Sequence, residues 1–447
     1  MVFAPILILN YMKKIKTNLA TILFAVLFSS LILAASGCVR QEASKAEDSK
    51  SAPATAQTLA AAPNAEIAAA QKIIEKLPDA ANGYNKLAVA YIRRARESGD
   101  FSLNTNAQTA VNRALEIEPQ NYDAQKLNAS LLLTFHRFAE ALEAGKKLQE
   151  ANPRDAFIYG VLTDANVELG NYEEAVVTVQ KMVDLKPNME SYARVSHVRS
   201  LHGDSDGAIE AMNLAFRVAD PMDKEAQSWC LVFLGNELFK VGRYQEAETQ
   251  YDSALKVLPD YHLALAGKGF ARAAAGDYEN AIKFFTQTQT RVPTTEVVVA
   301  LGDVYAKSGN ADKAAEQYKL AEFIEQKLGN LDQRRLALLW ADQDMKIDEA
   351  LAIAEREHAG RKDVYTADIY AWCLYKKGNY ADAKKIIQEA MRLKTKDARF
   401  FYHAGMIEKS LGNKKAAKEF LQKALQTNPA FDVLQSEKAK ANLQELN

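Results

Sequence analysis

Residues 234–259, LGNELFKVGRYQEAETQYDSALKVLP, contain the spacing that decides the fold. Ala247 has Gly242 five residues before it, Tyr244 three before it and Pro259 twelve after it. Glycine can adopt a positive φ and close a helix, whereas proline cannot continue one and disfavours helical geometry just before it. The segment therefore predicts a helix that ends near Gly242, a tight turn, and a second helix that ends before Pro259.

The same spacing recurs along most of the chain. Seven of the nine intervals between equivalent alanines are 33 or 34 residues, and the other two are 39 and 36. A fixed period of this length is the signature of a repeat array in which each unit is one pair of helices. The equivalent alanines are Ala107, Ala141, Ala175, Ala208, Ala247, Ala281, Ala314, Ala350, Ala383 and Ala417.

Glycine precedes seven of these alanines by five residues, and these glycines are predicted to close the first helices. They are Gly170, Gly203, Gly242, Gly276, Gly309, Gly378 and Gly412. The residue after the glycine is often Asn or Asp, whose side chain can cap the second helix. These predicted caps are Asn171, Asp277, Asn310, Asn379 and Asn413.

The pattern over residues 80–432 closely resembles the tetratricopeptide repeat (TPR) family. A second good match beside 234–259 has Gly405, Gly412, Ala417 and Pro429 in phase. The chain is rich in Ala, Leu, Lys and Glu and holds only 20 Gly and 11 Pro in 447 residues, which also favours helix. The resemblance implies an all-α fold, a right-handed α-solenoid of about ten helix pairs with capping helices.

Three places depart from the repeat. An insertion lies near residues 97–104, and the repeat around Ala350 has Met345 and Lys362 where Gly and Pro are expected. The second helix of the pair around Ala314 is predicted to continue to about Leu328. Lone helices at 66–77 and 433–446 are predicted to cap the two ends of the array, as solenoids require.

The N-terminus resembles a bacterial lipoprotein signal. Lysines at 13, 14 and 16 precede an almost wholly apolar run, 19–36, and Cys38 follows small residues. The pattern predicts cleavage and lipidation at Cys38, with translation starting at Met12. An uncleaved membrane anchor and a soluble secreted protein are the alternatives, because 18 apolar residues are just long enough to span a bilayer.

Residues between this signal and the repeats are mostly Ala, Ser, Pro, Thr, Lys and Glu, and they cannot bury a core. The sequence therefore predicts three parts: a lipoprotein-type signal at 1–38, a disordered tether at 39–65 and the repeat array at 66–447. We expect a bacterial envelope protein, lipid-anchored and facing the periplasm from the outer membrane. Inner-membrane anchoring and a free periplasmic protein remain alternatives.

Composition excludes several classes of function. The chain has 56 basic and 57 acidic residues and no basic run, so nucleic acid is not an expected partner. Three cysteines, at 38, 230 and 373, make no disulfide framework. The six histidines have no metal-ligand spacing, and no phosphate loop or nucleophile motif is present. We therefore expect no enzyme activity, no cofactor and no metal.

In the TPR family the first helix of each pair lines a concave groove where peptides usually bind. The residues from 365 to 402 are especially rich in aromatic side chains, which make good binding anchors. Family members that bind the C-terminal carboxylate of a peptide have a lysine four residues before an asparagine on the first helix. Asn236 lacks this lysine, which argues against binding of a C-terminal carboxylate. The resemblance places these side chains in the groove: Trp229, Asn236, Phe239, Phe270, Tyr365, Asp368, Trp372, Tyr375, Tyr402 and Met406.

Three functions follow as hypotheses. The first is a membrane-tethered scaffold that binds envelope proteins and helps assemble or regulate a pilus, secretion, wall or polysaccharide machine. The second is a glycan-binding module that stacks sugar rings on the aromatic groove. The third is an accessory subunit that regulates an enzyme by docking beside it, which the sequence does not separate from the first.

Overall fold

A computed structural model describes residues 65–328 and 333–446, which belong to one compact unit, Asn64–Asn447. Within these residues the chain forms 22 helices. The predicted signal and tether lie outside the described residues, except for Ala65, and stay predictions. The helices are α1 Ala65–Lys76, α2 Ala81–Ser98, α3 Leu103–Ile117, α4 Tyr122–Thr134, α5 Phe138–Ala151, α6 Ala156–Glu168, α7 Tyr172–Leu185, α8 Met189–Leu201, α9 Ser205–Val218, α10 Lys224–Lys240, α11 Tyr244–Val257, α12 His262–Ala274, α13 Tyr278–Arg291, α14 Thr295–Lys307, α15 Ala311–Leu328, α16 Arg334–Asp342, α17 Ile347–Gly360, α18 Val364–Lys376, α19 Tyr380–Ala390, α20 Ala398–Ser410, α21 Lys414–Thr427 and α22 Gln435–Glu445.

The helices form ten consecutive pairs, from α2–α3 (pair 1) to α20–α21 (pair 10), and α1 and α22 cover the two ends. This confirms the predicted α-solenoid of about ten helix pairs with capping helices. Each helix packs against the next one along the chain, so the array buries a continuous core that no single pair could bury alone. We call the residues between the two helices of a pair its turn, and the residues between two pairs a linking loop.

The equivalent alanines are buried between packed helices. All ten expose 3% of their surface or less. Glycines on several first helices serve the same close packing. A Cβ on Gly235 or Gly267 would lie 2.5 Å from the ring of Tyr251, which is itself 1% exposed. Small residues at these positions therefore set the distance between helices.

The turns are closed by glycine, as predicted. The seven predicted glycines have φ between 75° and 87°, in the left-handed region. The prediction that the next residue caps the second helix is only partly right. The side chains of Asp277 and Asn310 accept the expected backbone N–H bonds. Asn171 and Asn413 instead donate back to acceptors five residues earlier, and Asn379 makes no side-chain cap.

The irregular repeats are accommodated locally. The insertion near 97–104 lengthens α2 and adds Gly99, which has a positive φ of 71°. Without a glycine, the turn of pair 8 places Asp344 and Lys346 at positive φ. Helix α15 runs to Leu328, as predicted. No helix in the described part of the chain combines the length and apolar composition needed to cross a bilayer.

Candidate functional site

First helices of neighbouring pairs contact each other repeatedly along the array. They therefore lie closer together than the rest of the solenoid and form its concave, inner face. The residues predicted to line this face divide into two groups in the structure, according to whether their side chains reach its surface.

Three predicted groove residues are buried, so the expectation that they are accessible is wrong. Asp368 is fully buried, and Trp372 and Tyr402 are each 1% exposed. Asp368 accepts hydrogen bonds from His403 Nδ1 (2.8 Å) and Arg399 Nε (3.2 Å). The Asp368 carboxylate therefore faces the first helix of the next pair rather than the groove. These hydrogen bonds join pair 9 to pair 10.

Trp372 is at the centre of this contact. Its ring stacks on Tyr375 and on His403, with centroids 4.7 and 4.1 Å away. The indole N–H donates to Asp342 at 2.8 Å. Burial, with a further contribution from Asp432, raises the pKa of Asp342 to about 6. The aromatic density between 365 and 402 is therefore largely core packing of pairs 8 to 10, which also weakens the basis for glycan stacking.

The other seven predicted residues are half-buried and keep some exposed surface. Trp229 stacks on Phe233 at 4.1 Å, and the Asn236 side-chain oxygen accepts from the Tyr251 hydroxyl at 2.9 Å. That these seven bind a partner stays a prediction. They are Trp229, Asn236, Phe239, Phe270, Tyr365, Tyr375 and Met406.

The superhelix completes one turn in about six pairs, and its successive turns touch. The linking loop before pair 9, residues 361–363, packs on the turn of pair 3. Arg361 Nε donates to Glu168 at 2.8 Å across 193 residues of sequence. The backbone N–H of Val364 donates to the Tyr172 hydroxyl at 2.9 Å. We call this set of contacts between superhelical turns the seam.

The next two pairs repeat the arrangement. In the linking loop before pair 10, the Thr395 hydroxyl donates to the Leu201 carbonyl at 2.5 Å. After pair 10, Asn428 donates to the carbonyl of Phe239 at 2.9 Å and pairs with the Tyr244 hydroxyl. The turns of pairs 4 and 5 thus receive the loops that lie six pairs further along the chain.

The seam begins at pair 1. A Cβ on Gly99, in the turn of that pair, would overlap the side chain of Val292 in the linking loop before pair 7. The loop that would meet pair 2 includes residues 329–332, outside the described residues. One rule therefore describes the seam at pairs 1, 3, 4 and 5: the turn of each of these pairs receives the linking loop that lies six pairs further along the chain.

Because successive superhelical turns touch, polar side chains from distant repeats share one region of the inner face. Burial tends to lower the pKa of Lys240, but Glu237, with Tyr365 and Asp397, outweighs burial and raises it. The surrounding walls of the groove, followed by the Lys240 charge, lower the pKa of His197, although its side chain keeps exposed surface. Burial also raises the pKa of Tyr365 to about 12. We call His197, Lys240, Tyr365, Asp397 and Arg399 the inner polar patch.

The sequence indicated Tyr365 but missed the rest of this patch. Lys240 lies next to Phe239, and Arg399 lies at the start of the first helix of pair 10, both at inner-face positions of the repeat. Their repeat positions could have suggested groove residues. Their proximity could not be predicted, because it depends on how tightly the superhelix closes, which the local period of 33 or 34 residues does not encode.

Cys230 and Cys373 are free thiols, and both are buried. Burial raises the pKa of the Cys230 thiol to about 12, which keeps it protonated and unreactive. Among the described residues, no three His, Cys, Asp or Glu side chains are grouped so that they could hold a metal ion.

Comparison with known proteins agrees with this architecture. A tetratricopeptide repeat family model matches residues 234–296, and a model of anaphase-promoting complex (cyclosome) subunit 3 matches 343–424. The chain is a tetratricopeptide-repeat protein. Members of this family mediate protein–protein contacts and are in general not enzymes.

Individual relatives are distant. A TPR repeat-containing protein of Methanocaldococcus jannaschii is 22% identical over 72% of this chain and 61% of its own length. Anaphase-promoting complex subunit 3 of Schizosaccharomyces pombe is 23% identical over 51% of this chain and 36% of its own length. The chain thus spans less than two thirds of either relative. A solved thermophilic TPR protein from Thermus thermophilus is 23% identical, with a TM-score of 0.36, over 46% of this chain and 98% of that one.

Proposed function

We propose that the chain is a membrane-tethered scaffold whose inner face binds an extended segment of a partner protein in the bacterial envelope. The observation that carries the binding role is the inner face itself. It presents half-buried aromatic rings beside charged groups, and rings that keep some surface bury much area at little cost in rotamer freedom. The partner is expected to take part in a pilus, secretion, wall or polysaccharide machine.

The inner polar patch sets the chemistry of that partner. Lys240 and Arg399 are cations with neighbouring acids, and Tyr365 supplies a neutral phenol near both of them. A patch with both signs of charge suits a polar peptide backbone and mixed side chains better than a strongly charged ligand. We therefore expect an extended, weakly charged protein segment, not nucleic acid.

Photo-crosslinking tests the binding face. A photoreactive amino acid replaces Trp229 on the inner face or, as a matched control, Phe323, which is 53% exposed on the second helix α15. We expect a specific crosslinked partner from position 229 in intact bacterial envelopes and none from position 323. Equal crosslinking at both positions, or none at position 229, would remove the inner face as the binding site.

The anchor is a separate part of the proposal and rests on the signal-like sequence before Cys38. We propose lipidation at Cys38 and a location at the outer membrane, facing the periplasm. Several acyl chains on one cysteine would hold the protein stably, since a single chain binds a bilayer only marginally. Radioactive palmitate should label the wild-type chain in a Gram-negative host and not the Cys38→Ala variant. Label in neither would refute the lipoprotein assignment.

A further inference from the structure

The eight turns that contain a glycine at positive φ fall into a docked edge and a free edge. At the docked edge, a Cβ added to the turn glycine would meet atoms of the next superhelical turn. This holds for Gly99, Gly170, Gly203 and Gly242. At the free edge, nothing lies within 4 Å of the added Cβ. This holds for Gly276, Gly309, Gly378 and Gly412.

Two turns at the free edge nevertheless contain the tyrosine that makes hydrogen bonds at the docked edge. In pairs 3 and 5 a tyrosine stands two residues after the turn glycine, and its hydroxyl accepts a backbone N–H from the docked loop. Pairs 6 and 9 have the same tyrosine, Tyr278 and Tyr380. In the described part of the chain neither hydroxyl has a hydrogen-bond partner. Tyr380 is 36% exposed, whereas Tyr172 at the docked edge is 5% exposed.

The opposite edge of the solenoid presents the matching loops. The docked loop after pair 10 begins with Asn428-Pro429, and Asn428 is 3% exposed. The linking loop before pair 3 begins with the same two residues, Asn152-Pro153, and both are exposed. The backbone is also alike: Asn152 ends α5 at φ −146° and ψ 85°, and Asn428 ends α21 at φ −155° and ψ 104°.

We propose that the free turns of one molecule bind the exposed linking loops of a second copy of this chain, head to tail, so that the seam continues between molecules. This self-association goes beyond the proposed binding of an envelope partner and does not depend on it. Each copy would keep one free edge of each kind. The contact is therefore heterologous and open, and it generates chains of molecules rather than closed dimers.

A second copy of the chain is the expected partner because it presents both the turns and the linking loops that form the seam. Each molecule carries loops and turns with the same repeat spacing, so several can engage together in register as they do within the chain. The free turn with Tyr380 and the free loop with Asn152 repeat a contact that the structure already contains between Tyr244 and Asn428. The proposed interface thus continues an interface that the molecule has already formed with itself.

Sedimentation velocity of the full-length chain in detergent, over a range of concentrations, tests the proposal. We expect wild type to form oligomers that grow with concentration. Tyr380→Asp blocks the turn edge, and Asn152→Arg removes the loop amide while leaving a favourable cation at a helix C-terminus. Each should weaken self-association about tenfold or more, a change of roughly 1.4 kcal/mol. Val177→Asp, at a side chain 68% exposed on α7, is the matched control and should associate like wild type.

Mixing the two variants gives the sharpest result. The intact loop edge of Tyr380→Asp can pair with the intact turn edge of Asn152→Arg, so the mixture should form dimers and nothing longer. Circular dichroism checks that each variant is folded, and the two variants test the interface from opposite edges. A wild-type chain that stays monomeric, oligomers that survive both substitutions, or a mixture without dimers would overturn the proposal.

Discussion

The docked and free edges of this solenoid have nearly the same local sequence but different surroundings. Gly242-Arg243-Tyr244 lies against a loop of the next superhelical turn, while Gly378-Asn379-Tyr380 is exposed. Both turns have a glycine at positive φ, 76° and 87°, and both begin a second helix with tyrosine. The comparison shows that the repeat decides the shape of a turn, and that the pitch of the superhelix decides whether the turn is buried.

Removing the ion pair of the seam should have the largest effect. Arg361→Ala leaves the Glu168 carboxylate without its main cation, and burial already raises the pKa of that group. Because Glu168 keeps part of its surface in water, we expect a loss of roughly 2–4 kcal/mol in the free energy of unfolding. Chemical denaturation measures it. Arg137→Ala breaks an exposed pair with Glu140 and should cost less than about 1 kcal/mol; similar losses in the two variants would contradict the comparison.

The turn glycines separate backbone strain from seam packing. Gly170 and Gly276 have the same φ of 77°, so alanine is strained equally at both positions. Only at position 170 would the added Cβ approach a residue of the next superhelical turn, at 2.6 Å from the carbonyl oxygen of Lys362. We expect Gly170→Ala to be roughly 1–3 kcal/mol more destabilising than Gly276→Ala by thermal or denaturant unfolding. Equal costs would mean that the seam is not packed in solution.

The Asn-Pro loops provide a third comparison. Asn428→Ala removes a donor to the Phe239 carbonyl and an acceptor for the Tyr244 hydroxyl, which are both half-buried. It should lower the free energy of unfolding by about 1–2 kcal/mol. Asn152→Ala, in the exposed loop, should change it by less than about 0.5 kcal/mol. The denaturation midpoints of the two variants, measured below any self-association, check this difference, and an equal response would count against it.

The tyrosine hydroxyls give the smallest expected effect. Tyr172→Phe leaves the Val364 N–H without its acceptor at a buried site, and we expect a loss of about 1 kcal/mol together with faster hydrogen exchange at that amide. Tyr380→Phe removes a hydroxyl that faces solvent and should be neutral. Native-state hydrogen exchange reports both. Unchanged protection of Val364 in Tyr172→Phe would refute this part of the seam.

Most of the fold could be predicted from spacing. The alanine period, the turn glycines and the prolines located ten helix pairs and both capping helices, because each mark has a local physical role. The predicted caps at Asn171, Asn379 and Asn413 were wrong. For Asn171 and Asn413, the amide finds an acceptor in the preceding helix, which propensity alone does not reveal.

The inner face was harder to predict. The period correctly assigned residues to first helices, but it gave no means to separate Tyr365, which keeps some surface, from Trp372, which is buried under Tyr375 and His403. That difference depends on which side chains the next pair supplies. The seam joins residues up to 194 positions apart, and the inner polar patch also draws on distant repeats. No local pattern encodes such contacts.

A double-mutant cycle on Glu168 and Arg361 tests the central claim most directly. The two residues are 193 positions apart and meet only if the second superhelical turn packs on the first. The single variants Glu168→Ala and Arg361→Ala and the double variant are unfolded by denaturant below any self-association. We predict a coupling energy of at least about 1 kcal/mol, as for residues in direct contact. Fully additive effects would show that successive superhelical turns do not touch in solution and would contradict the seam.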